Sequence, residues 1–285
     1  MTMSETKHPG DEQSDTDAFA RRLEREGLLA LDDVTFRLTA DETSLLDPAL
    51  SDGVAKNISF GPGGLRGASG DPETRARLGA LMSRYFAWAK ATLNSLAPGY
   101  AAHAQMGRTS LRTRDVDEPA PSPRRDDRRL HVDAFASQPT GGRRILRIFT
   151  NINPHGEDRV WRVGEPFEAH ARRWALGARR PLPLEARLLQ AAGVTRSRRT
   201  PYDFMMLAIH DGAKLDLAYQ SAAPARDVAF AAGTSWIVYT DSVVHAAVGG
   251  RFALEQTIYL PLAAMAEPSA APATILERIT GRSLV

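Results

Sequence analysis

The apolar pattern divides the chain into a helical front and a strand-rich remainder. Residues 18–31 (AFARRLEREGLLAL) carry apolar side chains at helical spacing. A longer helical run opens at Asp71-Pro72 and reaches about Leu96, where Pro98-Gly99 closes it. Its residues Leu78, Leu81, Met82, Tyr85, Phe86 and Trp88 form a face to be buried. Residues 34–38 read as a short strand. The Gly-rich stretch 61–70 (GPGGLRGASG) reads as a plain loop, because it lacks the Lys-Ser/Thr ending of a phosphate-binding loop. From Gln105 the period shortens. Strands are predicted at 105–112, 130–135, 144–153 (RILRIFTNIN), 160–163, 234–240 (TSWIVYT) and 251–260 (RFALEQTIYL), with a Pro-rich break at 119–123 and a turn at 139–142. Helical patterns at 165–176, 184–192 and 202–219 interrupt this series, the last begun by Thr200-Pro201. A short helix near 274–279 follows.

The predicted fold class is mainly β with flanking helices. Short strands with turn signals, broken by one helical insertion, point to a sandwich or barrel of jelly-roll type. The expected organisation is a disordered polar tail at 1–17 and one domain at 18–285. That domain would comprise a helical buttress at 18–104, a jelly-roll core at 105–265 with a helical insertion at about 165–221, and a C-terminal segment at 266–285. The first 17 residues lack the apolar stretch of a signal peptide.

Composition narrows the chemistry. The chain has 285 residues, 43% hydrophobic, enough for a substantial core. Its 36 Lys and Arg nearly balance 34 Asp and Glu, which does not call for nucleic acid as a partner. Lys occurs only at Lys7, Lys56, Lys90 and Lys214, and every other cation is Arg. The planar guanidinium fork suits carboxylates and phosphates, so an anionic substrate fits; the codon usage of a GC-rich genome accounts for the same excess. With 0 Cys, disulfides, Fe–S clusters, thiolate metal sites and a Cys nucleophile are excluded. A metal would have to be held by carboxylates and the 7 His. No apolar run is long enough to span a bilayer, and the protein is expected to be soluble and cytoplasmic.

The chemistry centres on His131-Val132-Asp133. On a strand, residues two apart share a face, so His-x-Asp delivers an imidazole nitrogen and a carboxylate oxygen to one point. A second His from a late strand completes the facial triad that suits non-haem Fe(II) and leaves positions open for a bidentate cosubstrate and O₂. His245, between the strands at 234–240 and 251–260, is the candidate. Alone, His-x-Asp is a weak signal; its context on a strand within an all-β stretch strengthens it. His210, on the helix at 202–219, competes as a ligand and otherwise contacts substrate, while His155 and His170 fall in a turn and on a short helix.

A 2-oxoglutarate cosubstrate also requires a cation for its far carboxylate. In RILRIFTNIN, Arg147 and Asn151 share one face, which reads either as an inward functional face or as an Arg reaching solvent from an edge. Arg162 is the other candidate. After His245 the chain offers Arg251 beside a Gly-Gly turn and then Gln256, so the usual cation on the last strand is missing. The run RRDDRRLH leads into the triad, and Arg124, Arg125, Arg128 and Arg129 are candidates for an anionic substrate; a solvated run paired with Asp126 and Asp127 is the alternative.

Together the runs RRLHVDAFASQPTGGRRILRIFTNINP, RVWRVGEPFE, TPYDFMMLAIHDGAK and GTSWIVYTDSVVHAA, with LEQTIYLP after them, resemble the Kdo hydroxylases, bacterial enzymes acting on 3-deoxy-D-manno-oct-2-ulosonic acid (Kdo) in lipopolysaccharide. The resemblance covers about 123–261 well and the N-terminal part less clearly. It implies a double-stranded β-helix of cupin type, Fe(II), 2-oxoglutarate and O₂, and hydroxylation at carbon 3 of the outer Kdo of Kdo2-lipid A, giving Ko. His131, Asp133 and His245 fall on its iron ligands. Phe204 stands where the family leads one to expect a polar residue, which bears on substrate contacts and not on the metal. A lipid substrate further implies an exposed apolar patch near the mouth of the site, or peripheral contact with the inner face of the inner membrane. Three other readings stand beside this one: an oxygenase of the same class with another anionic substrate, a β-sandwich sugar-binding module without iron, and a cupin-like isomerase with another divalent metal.

Overall fold

The computed structural model describes residues 9–285 apart from 117 and 119, with 9–17 as backbone alone. Its helices are α1 (Pro9–Glu26), α2 (Ala40–Thr43), α3 (Pro72–Leu96), α4 (Pro98–Ala101), α5 (Phe167–Ala175), α6 (Glu185–Ala191), α7 (Pro201–Leu215), α8 (Leu217–Ala222) and α9 (Pro272–Thr280). The strands are β1 (Leu28–Leu31), β2 (Ile58–Gly61), β3 (Gly64–Arg66), β4 (Gln105–Arg112), β5 (Arg144–Asn151), β6 (Arg159–Val163), β7 (Arg226–Phe230), β8 (Ser235–Tyr239), β9 (His245–Gly249) and β10 (Ala253–Leu260).

The strands form two antiparallel sheets. One has seven strands in the order β1-β8-β5-β10-β4-β2-β3, the other three in the order β7-β6-β9. The segment around His131 adds a fourth member to the small sheet: His131 and His245 exchange backbone hydrogen bonds at 3.0 and 2.8 Å, and the Asp133 amide donates to the Thr240 carbonyl at 2.7 Å. Four strands facing four, with consecutive strands alternating between sheets except for the β6–β7 pair, make a double-stranded β-helix. Every residue of β5, β8 and β10 is buried, because both faces of the large sheet are covered.

Each covering layer has a sequence cause. On the outer face of the large sheet, Leu146, Ile148, Ile237, Tyr239, Ile258 and Leu260 pack against Leu23 of α1, Ala89 and Leu93 of α3, and Tyr100 of α4. Asp71 caps α3 and Pro72 sits in its first turn, fixing where that buttress begins. On the outer face of the small sheet, Val132, Val244 and Ala246 meet Phe167 and Ala171 of α5, Met205, Met206 and Ile209 of α7, and Leu276 of α9. Between the sheets lie aromatic rings. Phe149 stacks on Trp236 at 5.2 Å, Phe230 on Trp236 at 3.9 Å, and Trp161 meets Phe149 edge-on at 5.0 Å.

Several expected elements differ. The first helix ends at Glu26, because Gly27 takes a positive φ (+75°), and a Cβ there would lie 2.6 Å from Val243. Residues 28–31 therefore leave as β1 and pair with β8. The helical backbone starts at Pro9, so only 1–8 of the expected tail remain, and they lie outside the described residues, as does Pro119 of the Pro-rich break. Residues 34–38 form no strand: Phe36 is buried against Tyr85 and Trp88 instead of joining a ladder. The Gly-rich stretch contains the turn and second strand of the β2–β3 hairpin. The helix expected at 202–219 breaks at Asp216, whose carboxylate caps α8. Strand β7, missed by the pattern, has mostly exposed side chains and so lacks an apolar alternation.

Within the helical insertion, His170 is completely buried; its Nδ1 shares a 2.8 Å hydrogen bond with the Tyr219 hydroxyl, and its Nε2 has no partner among the described residues. Burial pushes this imidazole down to about 4. The unfolded chain takes up the proton near pH 6.5, the folded chain only near 4, so acid favours unfolding throughout that window. Stability is expected to fall as pH drops from 6.5 to 4, with His170 contributing up to about 3 kcal/mol of the loss. Urea unfolding at several pH values should give a shallower fall for His170→Gln than for wild type over the same window.

Candidate metal centre and its cavity

His131, Asp133 and His245 meet between the sheets, with one donor atom of each within 4.8 Å of the others. The segment carrying the first two is not the continuous strand expected at 130–135. It forms a single bridge, at His131, yet stays extended enough for side chains 131 and 133 to face the same way. His245, expected in a hinge, opens β9.

The hydrogen bonds fit a metal. His131 Nδ1 lies 2.7 Å from the Arg129 carbonyl, and His245 Nδ1 lies 2.9 Å from the Val243 carbonyl. A carbonyl accepts only, so each Nδ1 carries the proton and each Nε2 presents a bare lone pair. The Trp161 ring stacks on the His245 imidazole at 4.8 Å and fixes its plane. Burial holds both imidazoles below their usual range, His131 also through Lys214. Two neutral imidazoles and one carboxylate are the donor set of a non-haem Fe(II) site.

Asp133 is held from the other side. Burial would raise its carboxyl, but the Arg147 guanidinium outweighs this and keeps it ionised. Arg147 Nη2 lies 3.0 Å from Asp133 Oδ2, and Nη1 lies 3.0 Å from Glu255 Oε1. Glu255 in turn meets Arg112 at 2.6 Å, and Arg112 meets Asp127 at 3.1 Å. Asp127 also pairs with Lys56 at 2.5 Å and lies 3.7 Å from Lys214. Charges thus alternate in one chain from the triad to the edge of the sheets. Here β5 and β10 each turn a charged residue inward at a register where the neighbouring strand supplies its counterion.

The triad opens into a cavity of about 420 Å³ lined by Arg108, Arg124, Arg125, Arg147, Arg159 and Lys214, among others. A second cavity of similar size adjoins it and shares Lys56, Arg112, Arg125, Asp127 and Arg159. Arg159 stands out. It is buried, its Nη1 donates to the Gly250 carbonyl at 2.5 Å, and it has no carboxylate within ion-pair distance among the described residues. Burial and the nearby Arg112 lower it to about 10. Gly250 (φ +83°) allows this contact: a Cβ there would lie 2.4 Å from the Asp158 carbonyl.

The expected site residues divide. Arg147 faces inward, but both arms of its fork engage carboxylates. Asn151 shares its face at the far end of β5, where its amide donates to the carbonyls of Glu157 and Phe230. Arg162 is a correction: it follows the inward Trp161, so it points outward and pairs with Asp227 at 3.0 Å. Gln256 is another, since it faces the helical layer and bonds Thr109 at 2.6 Å and the Gly107 carbonyl at 3.1 Å. Arg128 turns back onto Asp126, and Arg129 donates to the Lys214 carbonyl, so neither lines the cavity. Arg124 and Arg125 do line it, as does His210, whose ring meets His131 edge-on at 5.5 Å. His155 is exposed, and Arg251 lies 3.9 Å from Glu157. Arg112, Arg159, Lys214 and Glu255 were not singled out in the sequence. Two had signals: Lys214 sits one turn after His210 on α7, and Arg159 has the parity of Trp161 on β6.

The family model for 3-deoxy-D-manno-oct-2-ulosonic acid (Kdo) hydroxylase matches residues 6–283. The structure of the Kdo hydroxylase KdoO, a non-heme Fe(II) alphaketoglutarate-dependent dioxygenase, in complex with cobalt(II) is 41% identical; the match covers 96% of this chain and 92% of that one, with a TM-score of 0.90. KdoO in complex with alphaketoglutarate and Fe(III) is 40% identical over the same shares, also at 0.90, and its complex with succinate and Fe(III) is 40% identical at 0.89. No curated protein matches. The chain belongs to the Kdo hydroxylase family.

Proposed function

We propose that this protein hydroxylates carbon 3 of the outer Kdo of Kdo2-lipid A, giving Ko, with Fe(II), 2-oxoglutarate and O₂. The observation that carries the reading is the convergence of two bare imidazole Nε2 atoms and one carboxylate on a cation-rich cavity. Family membership over nearly the whole chain supports the substrate.

In this reading His131, Asp133 and His245 hold the iron. Bound there with 2-oxoglutarate, it supplies the oxidation: one atom of O₂ enters a substrate C–H bond and the other enters succinate as CO₂ leaves. The chain's own residues position the reactants and exclude water. Arg147 keeps Asp133 ionised and aimed, so it acts as a positioning residue. Arg159, the buried cation lacking a carboxylate, takes the far carboxylate of 2-oxoglutarate in place of the Arg162 and Gln256 suggested by the sequence. Arg124, Arg125 and His210 face the sugar acid at the open end. Phe149, Trp161 and Ala247 supply apolar wall. The same reading puts the enzyme in the cytoplasm, against the inner face of the inner membrane, where a lipid-borne substrate is accessible.

Three outcomes follow. Anaerobically reconstituted His131→Ala, Asp133→Ala or His245→Ala should retain far less iron and release succinate at least about 1000-fold more slowly, given how little a site missing one of three ligands can hold. Arg159→Gln should raise the KM for 2-oxoglutarate about 10- to 100-fold with a smaller change in kcat, as expected for losing charge-assisted hydrogen bonds worth about 1.5–3 kcal/mol; an unchanged KM would place the anchor elsewhere. Succinate release should rise when Kdo2-lipid A is added, and the lipid should gain the mass of one oxygen. Release indifferent to the lipid would leave the oxygenase class and remove this substrate, and no release from iron-loaded protein would return the chain to a sugar-binding module.

A further inference from the structure

The helical insertion carries an apolar surface that the fold does not need. Of the large apolar side chains that are exposed among the described residues, Leu176, Leu182, Leu184, Leu188 and Val194 all lie within residues 176–194. Leu182, Leu184 and Leu188 are 69%, 61% and 67% exposed. Leu184 caps α6 in the left-handed region (φ +67°), a conformation that leucine rarely adopts. Its strained backbone serves no core contact.

The charge around this face is one-sided. Residues 176–199 include Arg179, Arg180, Arg187, Arg196, Arg198 and Arg199 against the single acid Glu185. Glu185 is held by Arg179 at 2.5 Å. Arg180, Arg187, Arg196 and Arg198 have no carboxylate within ion-pair distance among the described residues, whereas Arg172, Arg173 and Arg278, on neighbouring α5 and α9, each pair with Glu165 or Glu168. Arg180 and Arg282 also rim a recess floored by Met205 and Leu284. Exposed leucines set among unpaired arginines are complementary to a bilayer whose interior is apolar and whose headgroups are acidic.

The face is tied to the cavity mouth. The Arg196 amide donates to the Ser137 carbonyl at 2.9 Å, and the Arg199 guanidinium donates to the Ala136 carbonyl. Ser137 lines the triad cavity. The Arg196 side chain shares a small recess with Arg66 and Arg108, and Arg108 lines the cavity as well. A cationic path therefore runs from the apolar face to the site.

We infer that the 176–199 segment docks on an acidic phospholipid bilayer, with Leu182, Leu184 and Leu188 entering the headgroup boundary and the unpaired arginines contacting phosphates. The inference rests on the lipid-borne substrate proposed above and names the surface that would bring the cavity mouth to it. Sedimentation of the full chain with phosphatidylcholine vesicles, with and without phosphatidylglycerol, tests it directly. Wild type should pellet with the acidic vesicles, poorly with the neutral ones, and less at high salt. Leu184→Ser/Leu188→Ser should weaken partition at least about tenfold, as expected for withdrawing two leucines from an apolar phase, with an unchanged unfolding midpoint. Wild type left in the supernatant, or a variant that pellets like wild type, overturns the inference. So does a wild-type dimer that the same variant dissociates, since the face would then belong to a second copy. Vesicle binding is read without turnover. A delipidated, water-soluble Kdo disaccharide should be hydroxylated equally by wild type and variant, and failure of both to do so counts against the proposed function and not against this surface.

Discussion

The buried charge chain from Asp133 through Arg147, Glu255 and Arg112 to Asp127 is the constraint on which the rest of the site depends. Burying so many ionised groups costs desolvation energy that apolar side chains would avoid, so stability alone does not explain it. What it supplies is position. Asp133 cannot relax away from the triad while Arg147 is anchored by Glu255, and Glu255 cannot turn while Arg112 holds its other oxygen. The links come from β4, β5, β10 and the loop before His131, so both sheets must be assembled before the carboxylate is aimed.

The aromatic layer does the same for the imidazoles. Trp161 packs against Phe149 on one side and His245 on the other, while Phe149 stacks on Trp236. Backbone carbonyls then set the tautomer of both histidines. Metal affinity and the register of the two sheets are therefore coupled: a slip in either ladder would separate the donors and expose unpaired charge. Arg159 is the exception within this network. It is a buried cation with no carboxylate within ion-pair distance among the described residues, beside a chain of charges that are each matched. The anchoring of a dicarboxylate proposed for Arg159 would match that charge.

The covering layers have different tasks. The N-terminal helices seal the outer face of the large sheet and make β5, β8 and β10 buried on both sides. The insertion seals the small sheet with the inner faces of α5 and α7, turns His210 and Lys214 into the cavity, and leaves its distal segment apolar and arginine-rich. One insertion thus stabilises the sheet, lines the site and presents a surface.

Local pattern determined much of this. Period-two alternation in RILRIFTNIN put Arg147 and Asn151 on one face, the His-x-Asp spacing put two donors on one side, and Asp71-Pro72 and Thr200-Pro201 marked the starts of α3 and α7. These features depend on near neighbours, which a sequence records. Residues whose roles depend on partners far along the chain were harder to read. Arg147 was visible as a candidate cation facing either inward or solvent, but not its pairing with both Asp133 and Glu255, which come from different elements. Arg162 looked like Arg147's equal until the parity of β6 turned it outward, and Gln256 until β10 packed against the helical layer. Within RRDDRRLH, Arg124 and Arg125 reach the cavity while Arg128 and Arg129 do not, because the backbone turns between them. The sequence by itself determined the donor types, their spacing and the β-rich class. Only the tertiary structure decided which charges meet, because ion pairing depends on distances between strands that the chain brings together only when folded.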